Sequence, residues 1–492
     1  MPARRAIDRV VDYARNRTVL AGGSIDGKGG EFEGVGEMKR LIVCCDGTWK
    51  AESSSTVSNI VKIAQTVRLS GSDRGGNSVG QRVYYVSGPG ARGFAGDRLL
   101  GGAFGLGLEA NLSAAYWQLA LNWEPGDEIF IFGFSRGAYT ARSLAGMINR
   151  LGILTYTAMI DGKYPEALRI YQQRKLNPDD PDPPAWAEFR RENCYPDPVT
   201  INFLGVFDTV GAMGIPGITA WRHRFHDVRL GRNVLCARQA LAIDERRRAF
   251  EPCLWEVPVE LTPKYRRPDR VKQVWFEGVH SDIGGGYEEC ALSDITLRWM
   301  IAEAESEGLA FDHDRLAVLH RHCPCPPKTH FRLHDSLGAG FRILNFARLL
   351  RHPRSPRFYW DSWRRMLEPR DQASRLASTV ERDGYEPPNL RRWREASRGP
   401  DAAPLIIEPI PPASDPVQGP LMEPPDATRS LAGRSTAMAR PDDGPQAELE
   451  AEARREAAVP IFVPDPGVTR QVAAEPVEAG TGAPASNGGT PA

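Results

Sequence analysis

Apolar residues along this chain fall in short bounded runs, and the runs alternate with segments of helical spacing. Arg40-Leu-Ile-Val-Cys-Cys45 has the character of a buried strand and stops at the turn dipeptide Asp46-Gly47. Over 57–67, Ile60, Ile63, Ala64 and Val67 repeat at helical spacing, preceded by Ser and Thr residues suited to cap a first turn. The pattern then predicts a strand at 82–86, a glycine-rich loop over 88–107 and an apolar helix ending near Asn122. Glu128-Ile-Phe-Ile-Phe132 is another buried strand; it leads into Gly133-Phe-Ser-Arg-Gly137 and a helix to about Asn149. Strand and helix thus alternate three times, which predicts an α/β fold: a doubly wound, mostly parallel sheet with crossover helices on both faces. Further strands are expected at 201–207 and 271–276, and a helix at 293–307 capped by Ser293 or Asp294.

Around this centre the composition changes. Residues 1–38 are charged and glycine-rich and read as a flexible arm. The main domain is expected over 39–350, with a Pro- and Asp-rich insertion at 163–198. A basic, aromatic, helical extension follows at 351–398. From 399 to 492, Pro, Ala, Glu and Gly dominate; such a segment buries too little apolar surface to offset its ordering entropy and reads as a disordered tail.

Charge and cysteine usage narrow the function classes. Lys plus Arg and Asp plus Glu both number 62, which removes the electrostatic case for nucleic acid as a partner. The eight cysteines, at 44, 45, 194, 236, 253, 290, 323 and 325, are too sparse to frame a secreted disulfide domain and suit a reducing, cytoplasmic setting. The Arg-rich first 20 residues lead into no apolar core of signal-peptide length, so no Sec signal is read. The longest apolar stretch, 103–123, carries Glu109 and Asn111 and reads as a buried helix rather than a membrane span. His320-Arg-His-Cys-Pro-Cys325, with His330, has metal-ligand residue types, but its spacing fits no zinc pattern; neither metal nor cofactor is expected. Arg348 to Arg370 mixes arginines with Phe358, Tyr359, Trp360 and Trp363, which leaves two readings: an amphipathic helix packed on the core, or a peripheral contact with anionic lipid.

The chemistry concentrates at Ser135. Gly133-Phe-Ser-Arg-Gly137 fits G-x-S-x-G between an apolar strand and an Ala-containing helix, the setting of a nucleophile elbow. A serine hydroxyl needs a histidine base, and the histidine a carboxylate to orient it. Of nine histidines, His280 alone follows an apolar strand and precedes a glycine turn. Asp208 ends the run Phe203-Leu-Gly-Val-Phe207 and is the favoured acid, with Asp244, Asp282 and Asp294 as rivals; Asp46 precedes the serine and has the wrong chain order. The oxyanion donors expected are the Arg136 N–H and an N–H of Gly47 or Thr48. Arg136 faces either a substrate phosphate or a carboxylate of the fold, and the glycine-rich loop over 88–107 reads as a lid beside the site.

Five blocks occur in order: Cys45-Asp-Gly-Thr-Trp49, Gly133-Phe-Ser-Arg-Gly-Ala-Tyr-Thr-Ala-Arg142, Gly205-Val-Phe-Asp-Thr-Val-Gly211, Ala242-Ile-Asp-Glu-Arg-Arg-Arg248 and Gly278-Val-His-Ser-Asp-Ile-Gly-Gly-Gly-Tyr287. Together they resemble a large α/β-hydrolase family, long called a domain of unknown function, that includes type VI secretion phospholipase effectors. The resemblance spans about residues 38–350. It implies an α/β-hydrolase fold, a triad at Ser135, Asp208 and His280, and hydrolysis of lipid esters. It also implies type VI secretion components as partners and export by that route. Two alternatives stand beside it: an esterase or thioesterase acting on small soluble acyl substrates, and a hydrolase-fold scaffold without catalysis.

Overall fold

The run Lys39–Cys45 (β1) lies inside a nine-stranded sheet. The computed structural model describes residues 38–47, 56–88, 103–173, 182–210, 230–256, 269–321, 333–351, 353–355, 357–367, 373–397 and 405–412. The other strands are β2 (Ser70–Ser72), β3 (Ser78–Val86), β4 (Glu128–Phe134), β5 (Phe203–Phe207), β6 (Ala237–Ala242), β7 (Val271–Phe276), β8 (Ser374–Ala377) and β9 (Leu405–Glu408). Their order is β2-β3-β1-β4-β5-β6-β7-β8-β9, parallel throughout except for the short edge strand β2.

The strands read as continuous apolar runs because both faces of the sheet are covered. Successive side chains of a strand point to opposite faces. Leu41, Val43 and Cys45 of β1 therefore join one core, and Ile42 and Cys44 the other. The first core is closed by α2 (Ala103–Ala120), α3 (Arg136–Leu151), α5 (Tyr164–Gln172) and α6 (Pro184–Asn193). The short α4 (Tyr156–Ile160) links two of these. The second core is closed by α1 (Asn59–Thr66) and α8 (Ala291–Ser306). The chain runs from β1 outward to β3, then returns to place β4 on the other side of β1. That reversal makes the carboxyl ends of β1 and β4 a topological switch point, where sites form in open α/β sheets.

The remaining helices are α7 (His280–Gly284), α9 (His313–Arg321), α10 (Ala339–Arg351) and α11 (Pro388–Ala396). No helix among the described residues is long and apolar enough to cross a membrane. The apolar stretch from 103 instead supplies Leu112, Ala115, Tyr116 and Leu119 to the first core. The expected insertion at 163–198 likewise packs, through Tyr164, Ala167, Ile170, Trp186 and Phe189.

Several expectations need correction. The sheet does not stop at residue 350: the stretch expected as a helical extension holds β8, and β9 lies where disorder was expected. Composition missed β9 because Leu405-Ile-Ile-Glu408 is short and ends on a charge. That charge is buried and bridged, with Lys272 Nζ at 2.6 Å and Arg375 Nη1 at 2.7 Å from the Glu408 carboxylate. β6 carries no continuous apolar signature, because Arg238 and Gln239 interrupt it; both are buried, Arg238 against Glu303 and Gln239 with its amide on the Cys253 carbonyl. The helix predicted at 293 starts two residues earlier, behind Cys290, and neither Ser293 nor Asp294 caps it. Cys290 is disulfide-bonded, while Cys44, Cys45, Cys194, Cys236 and Cys253 are free thiols. The arm, the run from His322 to His330 and the chain beyond 412 lie outside the described residues.

Asp294 serves the second core instead of a cap. Lys62 of α1 is buried beside it, with Nζ 2.6 Å from Oδ1. Removing one member of a buried pair strands the other charge, at a cost of about 3–5 kcal/mol. Lys62→Ala is expected to destabilise the protein by that amount in urea unfolding, and a loss under 1 kcal/mol would contradict the assigned burial.

Candidate active site

β4 ends by delivering Ser135 into a turn that L-residues rarely adopt, with φ 56° and ψ −118°. Such strain persists only where surrounding structure over-determines it. Here the Ser135 N–H donates to the Phe207 carbonyl at 3.1 Å, and α3 starts at the next residue. The flanking glycines are steric requirements. A Cβ on Gly133 would stand 2.6 Å from the Ala138 Cα and the Gly137 carbonyl oxygen, and one on Gly137 would overlap the carbonyl oxygens of Cys45 and Asp46. Gly137 thus lets α3 press against the end of β1.

The neighbouring strand ends supply the partners. Asp208 follows β5, also at positive φ (37°), with its N–H on the Ala240 carbonyl at 2.7 Å. His280 follows β7 through Gly278, which sits at φ 106° and donates to Asp244 Oδ2 at 2.6 Å, and it opens α7. The three side chains meet: His280 Nε2 lies 2.8 Å from Ser135 Oγ, and His280 Nδ1 lies 2.6 Å from Asp208 Oδ2. All three are buried, and the imidazole ring is flanked by Phe134 and Phe250 with centroids at 4.8 Å each.

Burial works against charge at both ends of the pair. It pushes the His280 pKa down, opposed by the hydrogen bond and charge of Asp208, which keeps the imidazole neutral and able to take a proton at neutral pH. For Asp208, burial favours the neutral acid, but the Arg364 and His280 partners outweigh it and hold the carboxyl at about 2. The arrangement can therefore draw a proton from Ser135 onto His280 and balance the resulting imidazolium with a carboxylate already ionised.

The rival acids are engaged elsewhere. Asp282 accepts from the Val279 N–H at 2.9 Å and lies 2.7 Å from His334 Nδ1; Asp244 accepts from Gly278 and from the Tyr385 hydroxyl at 2.7 Å; Asp294 pairs with Lys62. Asp46, set aside on chain order, braces the loop after β1: it accepts from Ser58 Oγ and the Tyr85 hydroxyl at 2.7 Å each, and from the Gly47 N–H at 2.6 Å. That last bond occupies the donor expected of Gly47. Thr48, the other expected donor, lies outside the described residues, as do positions 89–102 of the expected lid. Arg136 begins α3 directly after the serine, and burial lowers its side-chain pKa to about 10. Arg142, two turns along, is structural: it donates to the Cys253 carbonyl at 2.6 Å and lies 5.0 Å from the Trp255 ring centroid.

Two contributors were not read from the sequence. Glu245 is buried, accepts the His280 backbone N–H at 3.2 Å and pairs with Arg247 at 2.8 Å. Arg364 pairs with Asp208 from 156 residues away. Glu245 does stand in one of the quoted blocks, whereas Arg364 lies in Trp363-Arg-Arg-Met366, where no motif or period marks it. No group of three or more His, Cys, Asp or Glu suited to a metal occurs among the described residues.

Residues 39–303 match the family model described as T6SS, Phospholipase effector Tle1-like, catalytic domain. The chain is 30% identical over 245 residues to the uncharacterized protein YEL023C of Saccharomyces cerevisiae, an alignment covering 46% of this chain and 34% of that protein. The chain thus matches about a third of that relative's length. Among solved structures it is similar to an uncharacterized protein from Pseudomonas aeruginosa, at 22% identity and a TM-score of 0.32, covering 56% of this chain and 46% of the other. It is also similar to the Tle1 effector bound to the VgrG spike of a type 6 secretion system, at 19% identity and a TM-score of 0.28, covering 51% and 52%.

The depressed Asp208 pKa has a consequence for stability. Between its unfolded value near 3.9 and its folded value, the native protein binds fewer protons at this site than the unfolded chain does, so acid favours unfolding. Its contribution is fully present above about pH 4 and is lost as pH falls toward 2. Unfolding of wild type and Asp208→Asn is therefore expected to differ most near pH 7 and to converge toward pH 2; a pH-independent difference would refute the assignment.

Proposed function

Because this chain belongs to the Tle1-like phospholipase effector catalytic-domain family of type VI secretion, we propose that it hydrolyses carboxylic ester bonds of lipids, with Ser135 as nucleophile. The observation that carries the proposal is the continuous contact from Ser135 Oγ through His280 to Asp208, at 2.8 and 2.6 Å. In this reading His280 Nε2 takes the hydroxyl proton as Ser135 Oγ attacks the ester carbonyl. Asp208 holds the imidazole by Nδ1 and offsets its charge. The tetrahedral oxyanion receives the Arg136 N–H and a second donor from the loop after β1. His280 then protonates the leaving alcohol, and water, deprotonated by the same imidazole, releases the fatty acid from Ser135.

A lipid aggregate as substrate is supported by α10. Its outer face carries Ile343, Phe346 and Leu350 at 74%, 62% and 69% exposure, an apolar stripe turned to solvent. Its inner face is anchored, with Asn345 buried, accepting from the Arg248 N–H at 2.8 Å and donating to the Arg246 carbonyl at 2.9 Å. From 337 to 360 the chain has Arg342, Arg348, Arg351, Arg354 and Arg357 and no Asp or Glu. An apolar stripe among arginines suits the boundary between anionic head groups and acyl chains. Phe341 of the same helix lies 6.1 Å, centroid to centroid, from Phe250, which flanks His280. Docking by α10 would therefore bring the interface to the site. Of the two readings of the basic aromatic region, the Arg348–Arg370 stretch supplies packed residues such as Phe358, and the exposed stripe begins earlier, at Ile343.

Ser135→Ala is expected to reduce fatty-acid release from phospholipid vesicles by about four to six orders of magnitude while leaving the fold intact. Equal turnover by both proteins would remove Ser135 from the reaction. Phe346→Ser is expected to weaken binding to anionic vesicles and lower vesicle turnover by roughly tenfold or more, with hydrolysis of a soluble short-chain ester unchanged. A matching loss on the soluble ester would assign the effect to the site and not to the surface.

A further inference from the structure

The Asp208 carboxylate has a second partner besides His280. Arg364 is fully buried and lays its guanidinium fork along both oxygens, with Nη1 2.6 Å from Oδ1 and Nη2 3.2 Å from Oδ2. The same nitrogens donate to the carbonyls of Ala242 at 3.2 Å and Phe250 at 2.5 Å. The Ala242 N–H also reaches Asp208 Oδ1, at 3.1 Å. The segment bearing Arg364 is tied down from two sides. Asn389 Nδ2 donates to the Arg364 and Ile243 carbonyls at 3.0 and 2.8 Å, and Arg248 Nη2 donates to the Tyr359 carbonyl at 2.6 Å. All of Arg364, Tyr359 and Asn389 lie outside the residues 39–303 that the family model matches.

We infer that Arg364 is a positioning residue of the triad: its fork fixes the rotation of the Asp208 carboxylate so that Oδ2 faces His280 Nδ1. The working unit then includes the chain as far as α11. Held only by His280 and the single Ala242 N–H, the buried carboxylate would have no cation on it, would be less restrained about its Cβ–Cγ bond and would tend to protonate. A planar fork on both oxygens blocks the rotation, and its charge keeps the acid ionised. A buried ion pair is not by itself a gain in stability over packed apolar residues, so stability alone gives this pair no special advantage at this position.

The inference rests on the triad reading, and its test separates the two. The charged groups facing the Asp208–His280 pair are Arg364, Glu245 and Arg247; on α7 itself Asp282 is paired with His334. Removing the Arg364 charge favours the imidazolium, so His280 titrates at higher pH and the acid limb of the rate profile follows it.

In the full-length chain, the His280 titration is measured by NMR on Cε1-labelled histidine in the Ser135→Ala background. The pH dependence of kcat/KM on a soluble fluorogenic ester is measured with Ser135 present. Arg364→Gln is expected to raise both the titration midpoint and the acid limb by about one pH unit or more. It should also cut kcat at least about tenfold with KM within about twofold. Arg364→Lys keeps the charge but not the fork, so the midpoint should stay within about half a unit while kcat stays low. A lower melting temperature with midpoint and limb unmoved would make Arg364 a structural strut and overturn the inference. If Arg364→Gln does not fold, Arg364→Lys decides, because wild-type kcat in that variant overturns it as well. A wild-type chain that turns over no ester defeats the hydrolase reading, whereas the His280 titration still tests Arg364 in the Ser135→Ala protein.

Discussion

At the end of β5 the Asp208 carboxylate is wholly removed from solvent, and several parts of the chain converge on its charge. It is balanced by His280 from the end of β7 and by Arg364 from the segment before β8, with the Ala242 N–H of β6 adding a third donor. An ionised group in such a place is stable only when every oxygen is met. The partners come from chain positions far apart, so the carboxylate ties the register of three strand ends and the placing of the C-terminal segment to one another.

The strand ends themselves are shaped by close approach. Ser135 and Asp208 both stand at positive φ, directly after the ends of adjacent parallel strands, and the Ser135 N–H bonds to the carbonyl immediately before Asp208. Gly133 and Gly137 remove the side chains that would hold α3 away from β1 and β4. Strain at two neighbouring residues is sustained by a rigid base, the four central strands buried on both faces, and it aims two side chains at one imidazole. Burial then sets the proton balance of that imidazole: desolvation favours the neutral ring, while Arg364 and His280 hold the neighbouring Asp208 ionised.

The chain after the matched catalytic region shares in both roles. β8 and β9 complete the sheet through buried charges, with Glu408 between Lys272 and Arg375. The turn at 357–367 carries Arg364 inward while Trp360 faces solvent. α10 holds its polar Asn345 inside and its apolar Ile343, Phe346 and Leu350 outside, the reverse of a helix that serves only a core.

Local sequence determined β1, β4, β5 and β7, the glycines around Ser135 and the order of Ser135, Asp208 and His280. Each of these depends on what a short segment can do: bury an apolar run on two faces, accept a strained turn, or follow a strand with a polar side chain. Local pattern carried less where polar residues are buried. β6 with Arg238 and Gln239, β9 with Glu408, and the helix start at Cys290 all depend on partners that sequence spacing does not reveal. Only the tertiary structure shows which of the four carboxylates meets His280, because Asp244, Asp282 and Asp294 differ from Asp208 in what reaches them and not in residue type. It alone brought in Arg364, because folding sets a guanidinium beside a carboxylate 156 residues away in the chain, where the low-dielectric interior strengthens the attraction between them.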